Sequence, residues 1–343
     1  MKAICIYVDR GEEYKATAEL ICNELKQRGH EAVVEELFDY LDIRWLDIFF
    51  SFAQKIKKLF RFNNSSSWEL NILIPFAKKH CDLAFKSNLE EEPADIFICT
   101  HPYANRIVTE LRRKTNNSKL SVYYYETKFF SPDKRSINND IDKYFIATES
   151  GAKEATLLGQ DNKNIEISPF VYPFIPSLRK EEKRLSNKVR ILIDTKDDSI
   201  NISKLINNDI SAELVLLGCN QDKYQSLKKY KSLEITYADS NENKYDLFSK
   251  VDFIIGSPIR NDMLIALYLS KPYLITEKKK RTADITNYFL EKGIGALLPN
   301  DSKKQLATIN DFIISFDNKR FDNISFDASI FVKELESLNQ GHN

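Results

Sequence analysis

Glycine is scarce, with nine in 343 residues, under half the average usage of about 7%. Loops that hold phosphates by close backbone approach draw on glycine, so glycine-rich nucleotide grips are in short supply. Net charge is lacking as well, 50 basic residues against 50 acidic. A general nucleic-acid binder is basic overall, and no nucleic-acid partner is expected. Cys5, Cys22, Cys81, Cys99 and Cys219 show no CxxC spacing. They read as small buried hydrophobes in a reducing compartment, with no disulfide and no metal site. The opening MKAICIYVDRGEE holds an apolar run too short for a signal peptide. No run reaches the roughly 18 apolar residues of a bilayer span. A cytoplasmic protein is the expectation.

A chain of this length exceeds one compact core, which favours two α/β domains. Short apolar runs alternate with helical patterns, the sign of βα units on parallel sheets. Strands are expected at 2–7, 31–35, 95–99, 121–125, 143–147 and 165–167. A second series follows at 189–193, 213–217, 233–236, 252–255, 273–275 and 296–298. Helices are expected between them, among them 14–28, 105–113, 221–229, 262–270 and 284–292. The charged RKEEKRLSNK reads as a linker. The expected domains are 1–178, a linker at 179–188, 189–325, and a C-terminal helix within 326–343 that could return to the first domain.

Residues 41–62, LDIRWLDIFFSFAQKIKKLFRF, stand apart. Leu41, Trp45, Ile48, Phe49, Phe52, Ile56 and Leu59 recur at three and four, one face of a helix. Lys55, Lys57, Lys58 and Arg61 lie opposite. With Arg44 against Asp42 and Asp47, five positive and two negative charges leave +3. Such a helix suits an anionic membrane boundary, through Trp45, Phe49, Phe52, Lys55, Lys57 and Lys58. It equally suits packing on its own domain with solvated lysines.

The stretches ADIFICTHPYANRIVTELRR and DKYFIATESGAKEATLLG resemble the diacylglycerol glucosyltransferase and monogalactosyldiacylglycerol synthase family. LVLLGCNQ and YDLFSKVDFIIGSP extend the similarity. The resemblance implies a GT-B fold, two Rossmann-like domains facing across a cleft. It implies a membrane-facing acceptor domain first and a UDP-sugar domain second. It also implies transfer of a hexose to diacylglycerol with no cofactor and no bound metal.

Several family features are absent. Where the family has a glycine-rich turn ending in histidine, this chain has DRGEEYKA, with Tyr14 at the histidine's place. A phenol of ordinary pKa about 10 is a poor base at neutral pH. The second domain opens on DTKDDSIN, three aspartates and no glycine, which repels a diphosphate. In SPIRNDMLIALYLSKP, Ile259 and Arg260 replace the family's glycines. Ile265 replaces the glutamate that holds the ribose, and isoleucine accepts no hydrogen bonds.

Candidate residues follow from these comparisons. Glu13 or Glu126 would be the base of an active transferase, and Arg260, Asn261 and Arg281 its phosphate or sugar contacts. His101, just past a strand end, would face the acceptor, or cap a turn before Pro102. His30 and His80 are expected at the surface. One reading is a glycosyltransferase with an altered donor site that takes a UDP-sugar weakly or not at all. Another is a non-catalytic relative that binds lipid or a partner. A third, an interaction protein without a membrane role, applies if the 41–62 face is buried. The membrane reading places the protein on the inner face of the plasma membrane, against anionic lipid.

Overall fold

The computed structural model describes residues 1–45, 68–171, 189–195, 212–218, 224–225, 235–238, 244–317, 320–321 and 325–340. Its chain forms two compact units. One is Met1–Phe174 with Ile324–Asn343, the other Ile175–Asn323. The segment 179–188 and nearly all of 221–229 lie outside the described residues, as do Phe49, Phe52, Lys55, Lys57, Lys58 and Cys219.

The first unit holds β1 (Lys2–Tyr7), β2 (Glu31–Glu36), β3 (Ile96–Cys99), β4 (Ser121–Tyr125), β5 (Lys143–Ile146) and β6 (Ile165–Ile167). They pair in the order β2-β1-β3-β4-β5-β6, every pair parallel. The second unit holds β7 (Val189–Asp194), β8 (Ala212–Leu217), β9 (Ile235–Ala238), β10 (Phe253–Gly256), β11 (Tyr273–Ile275) and β12 (Gly295–Leu297). Their order is β12-β11-β10-β7-β8-β9, again all parallel. Strands such as IFIC and FIIG are buried along their whole length. A parallel sheet covered on both faces demands that, and apolar layers indeed flank the first sheet on both sides.

The helix Ala328–Gln340 closes one of those layers. Phe331, Val332 and Leu335 are fully buried. The Phe331 ring meets Tyr125 at 4.9 Å and Phe145 at 5.0 Å. Polar groups fix the docking: Glu336 takes His30 Nε2 at 2.8 Å and Arg28 Nη1 at 3.4 Å. His30 is therefore not a free surface histidine, as its sequence context implied. It sits partly buried against a helix that arrives three hundred residues later in the chain. His80 is exposed, its ring 4.8 Å from Phe76.

The expected helix starting at residue 41 needs correction. A short helix, Leu37–Tyr40, ends there instead, and Asp42 adopts φ 54°. That left-handed conformation cannot lie inside a right-handed helix. Leu41 and Ile43 are core residues at 1% and 6% exposure, whereas Trp45 is 56% exposed. The hydrophobic spacing of the sequence joins Leu41 to Trp45, from which the turn at Asp42 separates it. Trp45 stands edge-on to Phe76, ring centroids 5.7 Å apart.

Phe331→Ala removes a ring from the first unit's core, a change worth about 3–5 kcal/mol. Denaturant unfolding should show that loss. A variant with unchanged stability would mean that the helix does not complete this core.

Candidate functional site

In open parallel sheets, ligands bind beyond the carboxyl ends of the strands, where the chain order reverses. In the first sheet the chain runs from β1 to β2 on one side and reaches β3 on the other, so the crevice opens above β1 and β3. The loops after β1, β3 and β4 bring together three candidates, Glu13, His101 and Glu126, with Tyr14.

His101 follows β3 and caps the helix Pro102–Lys114, its Nδ1 accepting the Tyr103 amide at 3.1 Å. Since a backbone N–H donates to Nδ1, the neutral ring carries its proton on Nε2. Burial, with the positive charges of Arg135 and Arg10, holds His101 well below the ordinary histidine value. The ring lies edge-on to Tyr14, centroids 4.5 Å apart, and to Tyr103 at 4.9 Å. Tyr14 is 7% exposed. Burial pushes its phenol up, and the charges of Glu126 and Glu13 push it further.

Glu126 follows β4 and is 1% exposed. One carboxylate oxygen accepts the Lys128 amide at 3.1 Å. The other accepts the Asp133 amide at 3.0 Å, Ser136 Oγ at 3.2 Å and Tyr144 Oη at 2.9 Å. Burial still raises its pKa above the ordinary glutamate value. A carboxylate so enclosed and so bonded ties down the loop that follows it. Glu13 is exposed on the first turn of the helix Glu12–Gln27.

Sequence reasoning missed Asp133, Arg135, Arg10 and Lys128. Arg135 grips Asp133 with Nε at 2.9 Å and Nη2 at 2.6 Å, while Lys128 Nζ reaches it at 3.1 Å. Burial works against the Asp133 carboxylate. The Arg135 hydrogen bonds and the Lys128 charge outweigh it and hold the group well below its usual range. The guanidinium carbons of Arg10 and Arg135 lie 5.2 and 5.6 Å from the Tyr103 ring centroid, a cation–π arrangement. The Pro-Asp-Lys-Arg turn at 132–135 was the available signal, since Asp caps such turns through its own side chain. This edge holds a neutral imidazole N–H, a protonated phenol and cations. It is equipped to donate hydrogen bonds rather than to remove a proton.

In the second sheet the order reverses between β7 and β10. The chain's own side chains occupy the ends of these strands. A Cβ on Gly256 would stand 2.9 Å from Tyr273 Oη and 3.3 Å from Asp194 Cβ. Tyr273 Oη donates to the Ser257 carbonyl at 2.9 Å. Asp194 is 7% exposed. Arg260 places Nη2 on both Asp284 oxygens, at 2.7 and 2.8 Å, and 3.3 Å from the Arg281 carbonyl. Its charge is thereby matched within the unit. Asn261 and Arg281 are exposed, and Ile265 is 9% exposed in the helix Arg260–Tyr268. Lys279 pairs with Glu277 at 2.7 Å. Among the described residues no group of three or more His, Cys, Asp or Glu could hold a metal ion. None of the described helices is long and apolar enough to cross a membrane.

Two parallel Rossmann-like sheets in these orders are the two sheets of the GT-B fold class. Residues 10–168 match the model of the monogalactosyldiacylglycerol (MGDG) synthase family. No curated protein matches the chain in sequence. Solved structures do match in fold. MurG of Acinetobacter baumannii aligns at TM-score 0.57 and 10% identity, over 99% of this chain and 100% of its own. The UDP-GlcNAc 2-epimerase of Methanocaldococcus jannaschii aligns at 0.57 and 12%, over 98% and 100%. The glycotransferase of kitacinnamycin aligns at 0.56 and 11%, over 98% and 97%.

Glu126→Gln turns an amide NH2 toward backbone or hydroxyl donors and leaves a buried donor unsatisfied, at a cost of about 1–3 kcal/mol. The sign with pH follows from the raised pKa. Native Glu126 binds its proton before the unfolded chain does, so the wild type gains stability as pH falls toward the unfolded value of about 4.3. The wild-type advantage over E126Q should therefore widen between neutral pH and that value in unfolding titrations. An advantage that shrinks would contradict the buried, raised carboxyl.

Proposed function

We propose that this protein is a non-catalytic relative of the lipid glycosyltransferases, which binds a membrane lipid surface and has given up the UDP-sugar. The observation that carries this reading is the carboxyl edge of β7 and β10. There Tyr273 Oη lies against the bare Cα of Gly256, in the kind of place where backbone normally approaches a diphosphate. Arg260 is already bonded to Asp284, and Ile265 offers the ribose no acceptor. On the first unit, Tyr14 stands against His101 where the family supplies a histidine after its first strand. Glu126 is buried and bonded to its own loop and to Tyr144. The acceptor side keeps donors and cations that suit an anionic or hydroxylated lipid headgroup. Exposed Trp45, beside Phe76, supports contact with lipid, and the cytoplasmic membrane face is the location this reading assigns.

The alternative, a transferase with a rebuilt donor site, rests on the exposed cations Lys278, Lys280 and Arg281.

Titration calorimetry with UDP, UDP-glucose and UDP-galactose separates the two. We expect no measurable heat of binding below millimolar concentration. A micromolar dissociation constant, about −8 kcal/mol, would establish a working donor site. In parallel, the protein should co-sediment with anionic vesicles at low salt. Trp45→Ser should weaken that association without lowering the melting temperature. Protein that stays in the supernatant would remove the lipid half of the proposal.

A further inference from the structure

Strands β10 and β11 lie side by side, with Gly256 opposite Ile275. The loops that follow them therefore emerge as neighbours at the carboxyl edge of the second sheet. Polar contacts tie the two loops together. Ser257 Oγ bonds Glu277 Oε1 at 3.0 Å, and Lys279 Nζ bonds Ser257 Oγ. Arg260 reaches the Arg281 carbonyl at 3.3 Å and both oxygens of Asp284. Ile259 falls between these two ties and is 43% exposed.

Charge on this pair of loops is one-sided. Across 257–260 and 277–284, Arg260, Lys278, Lys279, Lys280 and Arg281 stand against Glu277 and Asp284. Five positive and two negative charges leave +3, in a chain whose total is zero. Both anions are already taken, Glu277 by Lys279 and Asp284 by Arg260, each at 2.7 Å. Lys278, Lys280 and Arg281 are exposed and make no ion pair among the described residues. The helices that follow the loops, Arg260–Tyr268 and Ala283–Glu291, both begin without a side-chain cap. A helix N-terminus carries partial positive charge, which adds to the excess.

Two features set this patch apart from a nucleotide grip. A diphosphate is held by backbone amides that approach closely through glycine, and here Ile259 and Arg260 fill the turn. An exposed isoleucine among cations also gives nothing to a phosphate. It suits the boundary between lipid headgroups and acyl chains, where apolar burial and attraction to anionic lipid add together.

We propose that the loops 257–260 and 277–281 dock on an anionic bilayer, a lipid contact of the second unit additional to the one at Trp45. The proposal rests on the lipid reading above and adds a surface which that reading does not use. One weak membrane signal gives marginal, reversible attachment, and a second makes it firm.

The test is binding of the full chain to phosphatidylglycerol-containing vesicles, with pure phosphatidylcholine vesicles as the control. Lys278→Gln/Lys280→Gln/Arg281→Gln should lower affinity for the anionic vesicles on the order of a hundredfold, since each basic residue near such a surface is worth about fivefold. Its melting temperature should not change, because all three side chains are exposed. Ile259→Ser should weaken binding further, and added salt should weaken the wild type but barely affect the triple variant. Lys303→Gln/Lys304→Gln removes two exposed lysines elsewhere in the unit and should leave binding unchanged. A triple variant that binds like the wild type overturns this proposal, and the lipid reading still stands if Trp45→Ser weakens binding. Wild-type protein that ignores both kinds of vesicle overturns both. Equal binding to phosphatidylcholine, an equal loss in the Lys303/Lys304 variant, or release from the vesicles by millimolar UDP would each overturn the docking surface.

Discussion

The enclosed carboxylate of Glu126 binds the loop after β4 to the sheet, and the first unit's carboxyl edge takes its form from that contact. Backbone amides of Lys128 and Asp133 converge on it, with the hydroxyls of Ser136 and Tyr144. Asp133 is thereby set where Arg135 and Lys128 can reach it, and Arg135 is set over Tyr103. The charge of Arg135 then helps to keep His101 neutral. A chain of dependence runs from one anionic side chain to the protonation of an imidazole on another loop. A buried charge is tolerable because it is hydrogen-bonded on both oxygens.

The two sheets are both parallel but differ in strand order, β2-β1-β3-β4-β5-β6 against β9-β8-β7-β10-β11-β12, and they use their reversal points differently. Above β1 and β3 the groups are aromatic, cationic and hydrogen-bond donating, held by neighbours that fix their orientation. Beside β7 and β10, two of the side chains at the strand ends are engaged inside the unit, while Asn261 and Arg281 are exposed. Tyr273 bonds the Ser257 carbonyl, and Arg260 bonds Asp284. Fold alone does not determine function in such architectures, and the contrast between these edges is what gives the functional reading its direction.

Much of the architecture was legible in the sequence because buried parallel strands leave an unambiguous trace. Runs such as IFIC, VYYY and FIIG admit little besides a strand covered on both faces, and the strands among the described residues lie within two residues of the expected positions. The positions of His101 and Glu126 could be read because each directly follows a strand. What the sequence concealed depends on contacts between distant residues. The Asp133–Arg135–Lys128 cluster leaves only a short turn motif. The link from His30 to Glu336 joins residues with no local relation. At Leu41 the periodicity was misleading, since hydrophobic spacing carries no information about the left-handed Asp42 that breaks the helix.

The first unit is also discontinuous along the chain. Its core is completed by Phe331, Val332 and Leu335, which follow the whole of the second unit. During synthesis at about 5–20 residues per second, the face formed by Tyr125 and Phe145 stays open while the intervening residues emerge. That delay is on the order of ten seconds. For that interval the nascent polypeptide displays an uncovered aromatic surface next to the ribosome, the sort of surface that chaperones shield. Maturation of the first unit is therefore timed by translation of the second.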